Sequence, residues 1–295
     1  MSQFSLATLS AFTLENSDIL IQKAVLGADL VDYIDVRPGY QTGTVAINVL
    51  GGTASFATSS CGWTGAGSTN FTQIDITNTS KSWKQSLCLQ DLKGYWMSTQ
   101  LDPSAYGTKL PFEDAIAEMM VKESQKAAES VIGVSIIAQV TSTLGGALAA
   151  TAAAFTSSNA YAMATSLIDA LPLAVSGRDD LMMFMSHASF RALMVNLVAL
   201  NYFHYNPGQG TGTGMGQSCI IPGTNITAVP VGGFGTSSRV ICGPAKHIIM
   251  ICGLIDDTDR IEAWWSQDNQ EMRMIASFTN GVGVLAESFS TNDQT

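Results

Sequence analysis

The residues able to do acid–base or metal chemistry are few and scattered. The three histidines are His187, His204 and His247, with no His-x-x-x-His pair and no cysteine at ligand spacing from any of them. A zinc site needs three or four such ligands close together, so this spacing argues against one. His187 follows a strand-like apolar run and His204 lies in an aromatic cluster, which favours structural roles for both.

Two further motifs could hold a ligand. Asn206–Ser218 is Gly-rich, but it lacks the Lys-Ser/Thr ending of a phosphate loop and is followed by extended sequence. Asp256-Asp257-Thr258-Asp259 is the densest acidic run. It is either a metal or acid/base cluster or, as we favour, a solvated turn, because a calcium loop needs more oxygen ligands and a glycine. With no Gly-x-Ser-x-Gly motif present either, we expect no catalytic, cofactor-binding or metal site and no enzyme.

Composition restricts the partners. Of 295 residues, 14 are Lys or Arg and 24 are Asp or Glu. This charged fraction of 13% is about half of the roughly 25% usual in soluble domains. A net charge of −10 argues against nucleic acid as the main ligand, because phosphate binding needs a basic surface. Either partners cover such a weakly charged surface, or the protein tolerates a surface that is prone to nonspecific association.

Cysteine usage and the N-terminus bear on the compartment. The first basic residue is Lys23, which argues against the basic start of a secretory signal. The five cysteines are odd in number and widely spaced, which predicts reduced thiols made in a cytosol: Cys61, Cys88, Cys219, Cys242 and Cys252.

The segment 130–176 holds a single charge, Asp169. A transmembrane helix is one interpretation of its apolar part. Gln139, the hydroxyls of 141–143 and the pair Gly145-Gly146 favour the other, a buried segment of a soluble fold.

The N-terminal half predicts a helix, a ribbon and a second, long helix. Leu14–Leu30 suits a helix, and Thr44–Gln100 alternates like two strands with a Gly/Ser/Thr-rich tip. A two-stranded ribbon is not stable alone in water, so it must lie on another surface. Pro111–Val131 has a Pro in its first turn, acidic residues after it and an apolar stripe, and should run on into the segment of low charge.

The C-terminal half predicts a helix, a strand, a helix and then a β-rich region. The first helix, 159–171, should be capped near Ser157 or Ser158, and Leu181–Met185 should be a strand buried on both faces. Asn280-Gly281 is a favourable hairpin turn, and Ser288–Thr295 is interpreted as a polar tail. The remaining elements are a helix at 188–200 and strands at 226–231, 240–242, 248–254, 261–265 and 271–278.

This order of elements resembles the major capsid proteins of tailed phages, the Hong Kong 97-like fold, over about Thr44–Glu287. The similarity rests on local patterns: Phe112-Glu-Asp-Ala-Ile-Ala-Glu-Met-Met-Val-Lys-Glu, Asp179-Asp-Leu-Met-Met-Phe-Met-Ser with Phe190-Arg-Ala-Leu, Ile221-Pro-Gly-Thr-Asn-Ile-Thr-Ala-Val-Pro-Val, Ile248-Ile-Met-Ile-Cys-Gly-Leu-Ile-Asp-Asp, Asn269-Gln-Glu-Met-Arg-Met and Phe278-Thr-Asn-Gly-Val. The resemblance implies an α+β fold with an N-terminal arm (1–43), an extended β-loop (44–110), a spine helix and peripheral domain (111–205), an axial domain (206–280) and a C-terminal strand and tail (281–295).

The resemblance also implies a function. Copies would form hexamers and pentamers of an icosahedral shell in the virion, assembled in a bacterial cytoplasm around double-stranded DNA that is enclosed without sequence-specific binding. Portal, scaffolding or decoration proteins are further implied partners; no cofactor and no membrane are expected. The residues that we expect at subunit contacts are Trp63, Lys81, Trp83, Lys84, Glu113, Glu118 and Lys122. Another virion structural protein, from a tail or a decoration, and an enzyme with an unrecognised site remain the alternatives.

Overall fold

A computed structural model describes residues 29–40, 42–54, 67–88, 112–140, 148–149, 153–200, 218–253, 260–269 and 271–292. It has a mixed α+β architecture. Several predictions lie outside these residues: the helix at 14–30 except for its last two positions, His204, the Gly-rich segment up to residue 217, the acidic run at 256–259 and Trp63.

The described part of the chain contains three α-helices, twelve strands and four turns of 3-10 helix, among them Gly232–Phe234. The helices are α1 (Phe112–Gln139), α2 (Ala160–Asp169) and α3 (His187–Ala199). The strands are β1 (Asp35–Pro38), β2 (Gly43–Ala54), β3 (Gly67–Cys88), β4 (Leu148–Ala149), β5 (Leu181–Met185), β6 (Cys219–Ile220), β7 (Thr227–Pro230), β8 (Val240–Pro244), β9 (Ile248–Cys252), β10 (Arg260–Ser266), β11 (Glu271–Val284) and β12 (Ser290–Thr291).

Helix α1 confirms the long element predicted from the sequence. It has 28 residues, which at 1.5 Å per residue is about 42 Å. Ala128, Ile132, Ile136 and Val140 are buried at every fourth position, so one stripe of the helix faces the main core. None of the helices in the described residues combines the length and apolarity of a bilayer-spanning segment.

The first sheet has the order β1-β9-β11-β3-β2, with β10 also paired to β11. The antiparallel pairing of β10 with β11 confirms the prediction for those two segments. The predicted turn at Asn280-Gly281 is wrong, because β11 runs straight through it. The strand changes partner there: residues up to Asn280 pair with β3, and residues from Asn280 to Val284 pair with β9. Gly281 allows β11 to lie close to the backbone of β3, since a Cβ at this position would be 2.7 Å from the carbonyl oxygen of Thr77.

The second sheet has the order β4-β12-β8-β5-β7-β6, and α2 and α3 pack on it. Strand β5 is buried on both faces, as predicted: Met183 and Met185 enter the core under α2 and α3, while Phe184 enters the main core with α1. Because β5 pairs with β7 and β8, strands from either side of residue 205 lie in one sheet. The segment boundaries implied by the capsid resemblance stay predictions.

The polar tail predicted from residue 288 is wrong for the described residues 288–292. Phe289, Ser290, Thr291 and Asn292 are fully buried. The Asn292 amide accepts from the Val240 N–H at 2.9 Å and donates to the carbonyl oxygens of Ala153 and Ser238 at 3.1 and 2.8 Å. Buried polar groups are stable where every partner is supplied, and hydropathy alone does not reveal such partners.

The cap of α2 also differs from the prediction. Its N-cap residue is Asn159, whose side chain does not cap the helix. Asn196 of α3 reaches across instead: its side-chain oxygen accepts from the Tyr161 N–H at 2.9 Å, and its amide donates to the Ser157 carbonyl at 3.0 Å. An orphan N–H of α2 is thus satisfied from a neighbouring helix, which fixes α2 and α3 relative to each other.

Candidate intersubunit surface

Strands β2 and β3 form the predicted ribbon. Their antiparallel pairing runs from Gly43 opposite Asn78 to Ala54 opposite Gly67. At about 3.4 Å per residue, these 12 pairs span about 40 Å. The ribbon is continuous with the first sheet, because the remaining residues of β3, from Thr79 to Cys88, pair with β11.

The base of the ribbon is anchored by a small apolar cluster. Ile47 and Ile76 are buried against Ile249 and Ile251 of β9. Gly283 leaves the room for this contact, since a Cβ there would overlap the end of the Ile76 side chain. Asn78, at the partner switch of β3, donates to the Tyr40 carbonyl at 2.9 Å. The ribbon is therefore fixed at its base by core packing.

Beyond its base, the ribbon carries little charge and one highly exposed aromatic side chain. Strand register places Phe71, Gln73 and Asp75 on the face opposite Ile74 and Ile76. Phe71 is 79% exposed. Asp75 is the only charged residue among positions 43–54 and 67–80, and Gln73 donates to it at 2.7 Å. Exposed apolar area on a nearly uncharged ribbon is typical of a surface that another protein covers.

Three of the predicted contact residues lie on the second half of β3 but not on one face. Trp83 is half-buried against the main core, opposite Ala276. Lys81 shares its face and is exposed. Lys84 lies opposite Ile275, so it is on the other face of the sheet. The structure therefore does not bring the two lysines together around Trp83.

The other predicted contact residues are less fully described. Lys122 is exposed on α1. Glu113 and Glu118 belong to α1, but their side chains lie outside the described part, as does all of Trp63. The predicted contact residues did not include Phe71, whose exposure the structure reveals. Its signal was present, since an aromatic residue stands on the polar face of an alternating strand.

Titratable groups elsewhere join elements of the fold. His247 Nδ1 lies 2.9 Å from Ser288 Oγ, and burial, with Arg178 nearby, lowers the pKa of His247. Arg178 donates twice to Asp180, at 2.7 and 2.8 Å, and these bonds lower the pKa of Asp180. Burial raises the pKa of the Cys242 thiol to about 12. None of the described cysteines, Cys88, Cys219, Cys242 and Cys252, is in a disulfide bond. No group of three metal-binding side chains occurs among the described residues.

This chain is similar to known proteins in structure but not in sequence. No family model matches the chain, and no curated protein matches it. One similar structure is a chain from the procapsid of satellite phage P4, a particle that includes the size determination (Sid) protein. The two chains have a TM-score of 0.57 at 10% sequence identity, and the match covers 99% of this chain and 91% of the phage chain.

Two further solved structures agree. The virus-like particle from Pyrococcus furiosus has a TM-score of 0.54 at 9% identity, covering 95% of this chain and 98% of that one. The capsid of the native GTA particle has a TM-score of 0.50 at 14% identity, and the match covers 91% of this chain and 89% of that one. At these identities the likeness is one of fold, and it extends over most of the chain in every case.

Proposed function

We propose that this chain, which has the fold of phage capsid proteins, is a major capsid protein that assembles with copies of itself into a closed shell. The observation that carries the proposal is the ribbon of β2 and β3, about 40 Å long, which among the described residues is anchored at its base and bears the exposed ring of Phe71. A free ribbon of this kind is marginally stable, and the surface of a neighbouring copy would stabilise it.

The finer organisation follows the Hong Kong 97-like arrangement. In this arrangement the ribbon is the extended β-loop, α1 is the spine helix, and the two sheets contribute to the peripheral and axial domains. The segment boundaries at residues 43, 110, 205 and 280 belong to the proposal. Hexamers and pentamers close an icosahedral shell around double-stranded DNA in the virion, after assembly in the bacterial cytoplasm. Portal, scaffolding or decoration proteins bind this shell, and its role is structural rather than catalytic.

The low charge of the chain supports this proposal. Shell subunits bury much of their surface against neighbours, and the central parts of protein interfaces are depleted of charged residues. A net charge of −10 suits a protein that encloses DNA without binding it tightly, because tight binding would need a basic inner surface. Next to the base of the ribbon, the predicted contacts Lys81 and Lys84 lie on opposite faces of the first sheet and would set the register with neighbouring copies.

The experiment compares assembly of the wild-type chain with that of Phe71→Ser. Burying a phenylalanine ring stabilises a contact by about 1.5–3 kcal/mol. The variant should therefore need at least about tenfold more protein to form particles, measured by light scattering and negative-stain microscopy. Leu173→Ser is the matched control, because Leu173 is 92% exposed but lies outside the ribbon.

Different outcomes bear on different parts of the proposal. Uniform small oligomers from the wild-type chain would contradict a capsid function, and open tubes or rings would indicate another virion component. Closed particles formed by Phe71→Ser at wild-type concentrations would remove the ribbon from the contact. Trp83→Ala is a poor probe, because this half-buried side chain also packs on the core of its own subunit.

A further inference from the structure

Helix α3 presents an unusually apolar face to solvent. Its inner side packs on the rest of the subunit: Phe190, Leu193 and Leu197 enter the core, and Asn196 caps α2. The exposed residues of the helix are His187, Ala188, Arg191, Val195, Val198 and Ala199. The outward face therefore carries one formal charge, that of Arg191.

Solvent alone does not account for this face. Val195 and Val198 are 50% and 61% exposed, and Leu200, which follows the helix, is 45% exposed. A helix side that faces water normally carries charged and long polar residues, whereas a helix that is apolar all round is a buried one. Valine is also a weaker helix former than the Lys, Glu or Gln usual at wet positions. We infer that another molecule covers this face.

The chemistry of the face selects the class of that molecule. A nucleic acid would need several cations, and a lipid surface would need basic residues together with large apolar or aromatic ones. The face has Arg191, the imidazole of His187 at the first turn and otherwise small aliphatic side chains. It therefore fits a protein surface that is itself nearly uncharged.

Charge and area favour a second copy of this chain. Asp169 of α2 and Arg191 of α3 are exposed, opposite in sign and, within the described residues, not ion-paired. The layer of α2 and α3 is thus close to neutral, and two copies of it meet without net repulsion. Its three aliphatic side chains cover far less than the ~800 Å² per partner of a stable dimer. The face suits one contact among several that each subunit makes in a closed assembly.

We propose that the outward face of α3, centred on Val195 and Val198, is buried against a neighbouring copy in the assembled particle. This inference rests on the proposed shell function, and it adds a contact on the second sheet, separate from the ribbon.

The test is the double variant Val195→Thr with Val198→Thr. Threonine keeps the β-branched shape and replaces a methyl by a hydroxyl, so folding of the free subunit should not change. The subunit concentration needed for particle formation should rise about tenfold or more. Val134→Thr on α1 is the matched control, because Val134 is also 61% exposed. A control as impaired as the double variant, or a double variant that assembles like wild type, would overturn the inference.

A second measurement reads the contact directly. Val198→Cys is labelled with a maleimide in free subunits and in particles, and the labelled peptide is followed by mass spectrometry. Labelling should be at least about tenfold slower in particles, in line with loss of solvent access in a contact. Equal rates in the two states would refute the contact even if particles form. If the wild-type chain forms no particles at all, the shell proposal fails instead.

Discussion

The packing of α1 on the turn at Gly232–Phe234 leads to a sharp prediction for Gly133→Ala. A Cβ at Gly133 would lie closer than 3.0 Å to three backbone atoms of Gly233. Backbone atoms cannot rotate away as a side chain can, so the helix and the turn would have to separate. Separation would also weaken the bond from the Gly233 N–H to Glu129 Oε1, which is 3.1 Å long.

Opposing effects determine the size of the change. Alanine is about 1 kcal/mol better than glycine inside a helix. Overpacking of a tight contact costs about 1–3 kcal/mol, and loss of a hydrogen bond to a charged group costs about 1.5–3 kcal/mol. The net expectation is a loss of about 2–4 kcal/mol in the free energy of unfolding, since packing and the hydrogen bond outweigh helix propensity.

Urea unfolding of the unassembled subunit measures this loss. Gly177→Ala is the control, because a Cβ there has no atom within 4 Å, and its effect should stay within about 0.5 kcal/mol. If Gly133→Ala were as stable as wild type or more stable, helix propensity would dominate, and the close approach of α1 to Gly233 would not hold in solution.

Two further predictions concern Asn292 and His247. Asn292→Ala removes three hydrogen bonds from buried backbone groups and should cost about 3 kcal/mol in unfolding free energy, whereas Asn269→Ala at an exposed site should cost less than about 0.5 kcal/mol; equal urea midpoints would contradict the buried arrangement. Burial lowers the pKa of His247 in the folded chain. As the pH falls below the ordinary histidine pKa of about 6.5, the unfolded chain therefore takes up a proton before the folded chain does. The free energy of unfolding should decrease from about pH 6.5 down to the pKa of the folded state. His247→Gln should flatten this part of the stability curve measured by unfolding between pH 7.5 and 5, and an unchanged slope would assign the effect to other groups.

Periodicity in the sequence predicted most of the elements. The alternation of apolar residues located β2, β3, β10 and β11, and the spacing of apolar positions located α1 and α3. These patterns arise from burial of one face of a local element, so they can be seen in a single chain segment. The order of the elements then indicated the fold.

The errors share one physical origin, which is contact between distant segments. Asn280-Gly281 favours a turn locally, but pairing with β3 and β9 keeps the strand extended. Asn292 is polar, yet three backbone groups from two other segments satisfy it, those of Ala153 and of Ser238 and Val240. The proposed contact surface was least predictable: Phe71 could be noticed from the alternation of its strand, but Val198 is conspicuous only once its exposure is known.

The continuity of β3 has a mechanical consequence. A single strand of 22 residues serves both the ribbon and the first sheet, and its pairing passes from β2 to β11 without a gap at Asn78 and Thr79. The ribbon is therefore a lever rather than a hinged flap. A rotation of the sheet by about 5° would move the far end of a ~40 Å lever by roughly 3–4 Å. Load applied to the ribbon would reach β11 and, through it, α1, so that strain in one part of the subunit is transmitted across its main core.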